Sequence, residues 1–275
     1  MKVVIFCGGF GLRLRDYSDA IPKPMVPIGQ RPILWHNMRY YAHYGHKEFI
    51  LCLGYKADVI KDYFLRYNEA LSNDFILSGD GRLELLSTDI QDWRIAFVNT
   101  GMNALIGQRL RAVQNHVGND EMFLANYGDN LTDAPLDRLI EDFRRRDKVA
   151  AFLSVAPTSS FHVVSLRDDG VVSAIEGVTA SGLRINGGFF IFRRAIFDYI
   201  RPGEELVEEP FQRLIAEGQL IAYPHDGFWA PMDTLKDMQN LEALYDAGRP
   251  PWAVWQVREE EAAPSPTEAA PSAAE

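Results

Sequence analysis

The sequence predicts an α/β fold: a Rossmann-like, mixed but mainly parallel sheet flanked by helices. Three observations carry this expectation. Short apolar, β-branched runs alternate with stretches of helical periodicity from the N-terminus onward. The first run, residues 2–7, is followed at once by glycines, as a buried parallel strand is when it enters a tight turn. A chain of 275 residues can also bury one large α/β core.

Residues 32–45 (PILWHNMRYYAHYG) show helical spacing between an opening proline and a closing glycine. A second strand at 49–53 and a helix at 57–67 complete a βαβα opening. Right-handed crossovers then place the loop after the first strand at the carboxyl edge of the sheet, where open α/β folds bind ligands. Residues 75–87 interrupt the alternation as a β-hairpin closed by Gly79-Asp80-Gly81. Its Phe75, Leu77, Leu83 and Leu85 need cover, either from the same domain or from a second subunit of a homo-oligomer.

Alternation resumes with a strand at 94–99, a loop at 100–107, a helix at 108–117, and a buried strand from 121 that runs into Gly128-Asp129. The basic run Arg144-Arg145-Arg146 reads as a solvated helix end, where cations complement the dipole. A strand at 149–155 is followed by a second hairpin, 163–166 and 171–175, turning at Arg167-Asp168-Asp169-Gly170. A strand at 185–192 carries a glycine pair near its start, which permits close approach of a ligand or backbone. Helices near 195–200 and 209–217 and a strand at 220–223 lead to Asp233, just ahead of a last helix. Residues 248–255 are expected to wrap the surface. Residues 257–275 are acidic and rich in Ala and Pro, and from about Glu259 they lack large apolar side chains, so they are expected to be disordered.

The formal charge of −10 opposes a nucleic-acid partner, because a phosphate backbone is met by a basic field. No apolar run approaches a membrane span and no secretory h-region opens the chain, so the expected location is the cytoplasm without membrane contact. Cys7 and Cys52 both lie in apolar strands and read as core residues rather than a disulfide.

The chemistry concentrates between residues 2 and 27. Gly8, Gly9 and Gly11 can bring backbone N–H groups close to an anion, and Arg13 and Lys23 add two cations, the latter stiffened by Pro22 and Pro24. The pattern reads as a cradle for a polyphosphate, with a tight strand-to-loop turn carrying solvated Arg13 and Lys23 as the alternative. It is neither the dinucleotide fingerprint nor a Walker A loop. Asp129, straight after a buried strand, lies on the same predicted rim and suits Mg²⁺, a hard cation that bridges carboxylate and phosphate oxygens. Asp233 reads either as a second Mg²⁺ carboxylate or as the N-cap of the last helix.

The segments GGFGLRL, IPKPM, TGMNALIGQRL, YGD, INGGFF and FWAPMDT occur here in the order in which they occur in the sugar-1-phosphate nucleotidyltransferases, which the chain resembles from residue 1 to about 255. WHNM at 35–38 and the last two segments resemble the glucose-1-phosphate cytidylyltransferases more than thymidylyl or uridylyl relatives. The resemblance implies a single domain over 1–256, with a nucleotide-binding part (1–155) and a sugar-phosphate-binding part (156–256). It implies transfer of a nucleotidyl group from a nucleoside triphosphate, CTP by default, to a sugar 1-phosphate, glucose 1-phosphate by default, giving CDP-glucose and pyrophosphate. Arg13 and Lys23 would be the catalytic cations. Gly8, Gly9, Gly11, Leu12, Ala104, Arg109 and Gly128 would line the nucleotide; Glu176, Asn186 and Trp229 would meet the sugar phosphate; and Asp129 and Asp233 would hold Mg²⁺.

Three departures fall inside this implied site. Leu12 and Ala104 replace hydroxyl residues usual in the family, and Gly177 replaces a lysine that would meet the sugar phosphate, with Arg184 or His162 as possible substitutes. They leave open a different base or phosphorylated substrate, and also a homologue that binds sugar nucleotides without turning them over.

Overall fold

The computed structural model describes residues 1–9, 21–158 and 161–256. Its main sheet contains β1 (Lys2–Phe6), β2 (Glu48–Leu53), β3 (Arg94–Asn99), β4 (Met122–Tyr127), β5 (Ala150–Val155), β6 (Ile185–Asn186), β7 (Phe190–Arg193) and β8 (Leu220–His225). β1 is central, with β2 and β4 parallel on either side and β3 parallel beyond β2. β7 runs antiparallel between β4 and β5, and β8 lies parallel on the far side of β5. The sheet is therefore mixed and mainly parallel, as the alternation predicted.

After Lys2, β1 is apolar because both of its faces are covered. Val3, Ile5 and Cys7 enter a core shared with the helix Ile33–His43, whereas Val4 and Phe6 enter one shared with Leu110, Val113 and Phe197. Cys7 and Cys52 are buried free thiols in opposite layers, which agrees with their reading as core residues.

Two local expectations fail for reasons that lie far off in the chain. The predicted continuous strand at 185–192 breaks into β6 and β7, because Gly188 (φ 76°) and Phe189 (φ 50°) adopt left-handed backbone. A Cβ at Gly188 would lie 2.6 Å from Asn126 Oδ1, and that same oxygen accepts the Phe189 N–H at 2.9 Å. The kink is thus held by a buried amide on β4, at a position where a non-glycine residue bears strain. The helix expected at 108–117 starts instead at Ile106 and ends at Ala112, with a separate turn at Gln114–Val117. Its first N–H is satisfied by the Glu205 carboxylate, a cap 99 residues away that local sequence cannot reveal.

Both hairpins form where predicted, as Phe75–Leu77 with Leu83–Leu85 and as His162–Leu166 with Val172–Gly177. The C-terminal stretch departs from its expected surface course. Trp252 and Trp255 are buried and pack around His36 and Trp35. Residues 257–275 lie outside the described residues. No described helix is long and apolar enough to cross a membrane.

His36 anchors this C-terminal strap. Its Nε2 donates to the Ile28 carbonyl (3.0 Å), so its Nδ1 is left to accept the Trp252 indole N–H (3.3 Å). Both bonds suit a neutral ring, and burial pulls its pKa from 6.5 down to about 4. A depressed folded-state pKa gives stability that is complete above pH 6.5 and is lost as pH falls toward and through 4. The shift corresponds to roughly 3 kcal/mol at about 1.4 kcal/mol per unit. Denaturant titrations at pH 7 and pH 4 should show a loss in the wild type that exceeds the loss in His36→Phe by an amount of that order. His46 shifts in the same direction in both proteins, so an identical pH slope would show that His36 does not carry the effect.

Candidate active site

The carboxyl ends of β1, β2, β3 and β4 meet at one rim, and Arg109 ties three of them together. This side chain is 2% exposed. Its Nη2 donates to the carbonyls of Gly8 (3.0 Å) and Met102 (3.2 Å), and its Nη1 to Gly101 O and Thr100 Oγ1 (both 2.9 Å) and to Leu53 O (3.4 Å). Arg109 thus reaches the glycine loop from beneath, through the Gly8 carbonyl. The close approach explains the glycine, since a Cβ at position 8 would lie 2.0 Å from Nη1. Gly9 continues the rim and is exposed. Gly11, Leu12 and Arg13 lie outside the described residues. Ala104 stands half-buried in the loop after β3, with its Cβ beside Gly101.

Lys23 enters the rim from a 3₁₀ turn, Lys23–Met25, framed by buried Pro22 and Pro24. The turn packs against the end of β4, where Gly128 leaves room: a Cβ there would be 3.3 Å from Pro24 Cγ and 3.2 Å from the Phe6 carbonyl. Asp129 follows directly. The strand Trp229–Pro231 pairs antiparallel with Asn130–Thr132, and Met232 N–H donates to the Asp129 carbonyl at 2.8 Å. That pairing delivers Asp233 to the same place. Lys23 Nζ lies 2.5 Å from Asp129 Oδ2 and 2.5 Å from Asp233 Oδ1. Burial alone would lower the lysine pKa, but the two carboxylates outweigh it and hold the group above its ordinary value.

The two readings left open for Asp233 are separated by its neighbours. Thr234, not Asp233, is the N-cap of the helix Leu235–Asp246, and it forms a capping box with Asp237. The Asp233 carboxylate therefore does not cap the helix, and its Oδ1 faces the Lys23 ammonium. Among the described residues no cluster of three metal-binding side chains occurs. A two-carboxylate oxygen set matches a hard cation that completes its sphere with phosphate oxygens and water, and the ammonium seated between the carboxylates shows that the position favours positive charge.

On the sugar-phosphate side the three residues sit on three different elements. Asn186 stays at the rim, where its Nδ2 donates to the Tyr127 hydroxyl at 3.4 Å and its Oδ1 accepts the Gly188 N–H. Trp229 is half-buried there, with its indole N–H on the Gly187 carbonyl at 2.8 Å. Glu176 is exposed on the hairpin that leaves the rim after β5, one pair from the His162 and Gly177 register. Arg184 is committed elsewhere. Its guanidinium binds Ser154 Oγ (3.1 Å), Ser154 O (2.6 Å), His225 O (2.9 Å) and Asp226 (2.8 Å), bracing the ends of β5 and β8.

Positioning residues escaped the sequence reading. Asn37, inside an apolar helix, donates through Nδ2 to the carbonyls of Tyr127 (3.1 Å) and Asn130 (3.0 Å), and so holds the turn that carries Asp129. Asn130 Nδ2 in turn donates to Gly187 O at 3.0 Å, linking both halves of the site. Asn37 and Asn126 were legible as amides in otherwise apolar runs, a combination that signals an internal hydrogen-bonding task.

The chain is similar to known proteins over most of its length. The nucleotidyl transferase family model matches residues 2–248. Glucose-1-phosphate cytidylyltransferase of Salmonella typhimurium is 38% identical over 257 residues, covering 93% of this chain and all of that protein. A mannose-1-phosphate guanyltransferase of Emericella nidulans is 27% identical, covering 89% of this chain and 64% of that protein. A solved UDP-glucose pyrophosphorylase in complex with UDP-glucose shares the fold, with a TM-score of 0.67 at 15% identity over 90% of this chain and 99% of that one. The family model over residues 2–248 and the 38% identity across the whole length of the Salmonella relative together place the chain in the sugar-1-phosphate nucleotidyltransferase family.

Proposed function

We propose that this protein joins CTP to glucose 1-phosphate, releasing pyrophosphate and forming CDP-glucose, in a Mg²⁺-dependent reaction in the cytoplasm. The convergence of Lys23, Asp129 and Asp233 beside the glycine loop carries this reading. An oxygen of the sugar phosphate attacks the α-phosphorus of the nucleotide, a new P–O bond forms, and the bond from the α-phosphorus to the oxygen bridging it to the β-phosphorus breaks. The protein's part in such a reaction is positioning and charge neutralisation. Lys23 offers one positive charge to the phosphates from a fixed turn, Arg13 is assigned the pyrophosphate, and the Gly8 and Gly9 backbone faces the nucleotide. Asp129 and Asp233 would hold the cation, which when bound offsets charge on the phosphate oxygens. Glu176, Asn186 and Trp229 are assigned to the sugar.

One observation favours a second acceptor within the same reaction. Gly177 brings no cation to the hairpin, and Arg184 is already bonded to four groups at the ends of β5 and β8 and just after β8. Pyrophosphate release should therefore be measured over a panel of nucleotides and sugar phosphates. CTP with glucose 1-phosphate is expected to be productive, and Asp129→Ala and Asp233→Ala are each expected to lower the rate by about a hundredfold or more without loss of fold. Wild-type rates in both variants at saturating Mg²⁺ would refute the metal assignment. Nucleotide binding without turnover of any pair would point to the non-catalytic homologue.

The apolar faces of the two hairpins support a homo-oligomer. Leu77, Leu83 and Leu86 are 65%, 43% and 60% exposed on one, and Leu166 and Ile175 are both 63% exposed on the other. Unpartnered aliphatic surface of this kind is ordinarily covered. Sedimentation should find a dimer or larger assembly at about 10 µM, in the range where specific interfaces hold; a monomer there would contradict the assembly.

A further inference from the structure

Lys23 occupies the position that a divalent cation would need. Its ammonium touches one oxygen from each carboxylate at 2.5 Å, and its side chain is only 13% exposed. The backbone that carries it is fixed, since Pro22 and Pro24 are buried, Met25 N–H bonds the Pro22 carbonyl at 2.8 Å, and Val26 N–H bonds the Lys23 carbonyl at 3.1 Å. Only the flexible four-carbon stem can move the charge. The carboxylates are equally constrained, one by the Asn37-braced turn and the other by the strand pairing and capping box around it.

We propose that Lys23 is the resident counter-ion of this carboxylate pair, and that the divalent cation gains both carboxylates only when nucleotide phosphates draw the ammonium aside. The inference rests on the reading of Asp129 and Asp233 as metal ligands. Without the ammonium, two like charges would face each other in a half-buried rim, which is costly until a cation or proton arrives. With it, the pair is neutralised in part and a divalent ion must displace a charge-assisted contact to enter. A phosphate supplies the alternative partner. Lys23 would thereby couple metal binding to nucleotide binding, and an empty site would not sequester metal.

Mn²⁺ titrated into the full-length protein without nucleotide, with free Mn²⁺ read by electron paramagnetic resonance, tests this. Wild type and Lys23→Arg should bind weakly. Lys23→Met and Lys23→Gln, each checked by circular dichroism, should bind about tenfold more tightly or better, and adding Asp233→Asn should abolish the gain. Mn²⁺ alone should also leave the melting temperature of the wild type unchanged. The proposal is overturned if neither neutral variant binds Mn²⁺ more tightly than wild type, or if Mn²⁺ alone raises the wild-type melting temperature. Wild-type turnover combined with no gain in the neutral variants would sink this inference alone. A gain without any pyrophosphate release would sink the proposed reaction and leave the counter-ion role standing.

Discussion

The contact of one ammonium with two carboxylates holds the candidate site together. Lys23, Asp129 and Asp233 come from the beginning, middle and end of the chain, and each reaches the rim by a different device. A stiff 3₁₀ turn brings the lysine, the end of a central parallel strand brings Asp129, and a short antiparallel pairing brings Asp233. Opposite charges at that distance in a partly desolvated place are a strong constraint, but only on a scaffold that has already aligned them.

Buried polar groups supply that alignment. Arg109 commits its guanidinium to carbonyls at the end of β2 and in the loops after β1 and β3, so the glycine loop is built on a cation that is itself almost wholly buried. Asn37, Asn126 and Asn130 do the equivalent work around β4, where they tie the Asp129 turn and the Gly187 to Phe189 kink to the core. The bonded atoms of these groups, Nδ2 of Asn37 and Asn130, Oδ1 of Asn126 and the Arg109 guanidinium, would be expensive to leave unpaired, so each makes the local backbone hard to place anywhere else.

Sequence gave a clear view of whatever depends on local periodicity and on residue type at strand ends. The βαβα opening, both hairpins, the glycine turn at β1 and the carboxylate after β4 were all legible, because glycine, proline and alternating apolar residues act within a few positions. The failures have one cause. The start of the helix Ile106–Ala112 is set by Glu205, the break between β6 and β7 by Asn126, and the burial of Trp252 by His36, all distant in sequence. Within the site, the lysine and both carboxylates were recognisable, but that Thr234 rather than Asp233 caps the last helix was not. That Arg184 braces β5 and β8 could be learned only from where those strands end.

The contact that organises this rim can be weighed directly by a double-mutant cycle. Unfolding free energies would be measured at neutral pH, free of divalent ions, for wild type, Lys23→Met, Asp129→Asn and the double variant. An interaction of about 1–3 kcal/mol between positions 23 and 129 is expected, as for groups in one ion-pair network. Additive effects within about 0.3 kcal/mol would contradict the account, since the lysine and the carboxylate would then contribute independently to the fold.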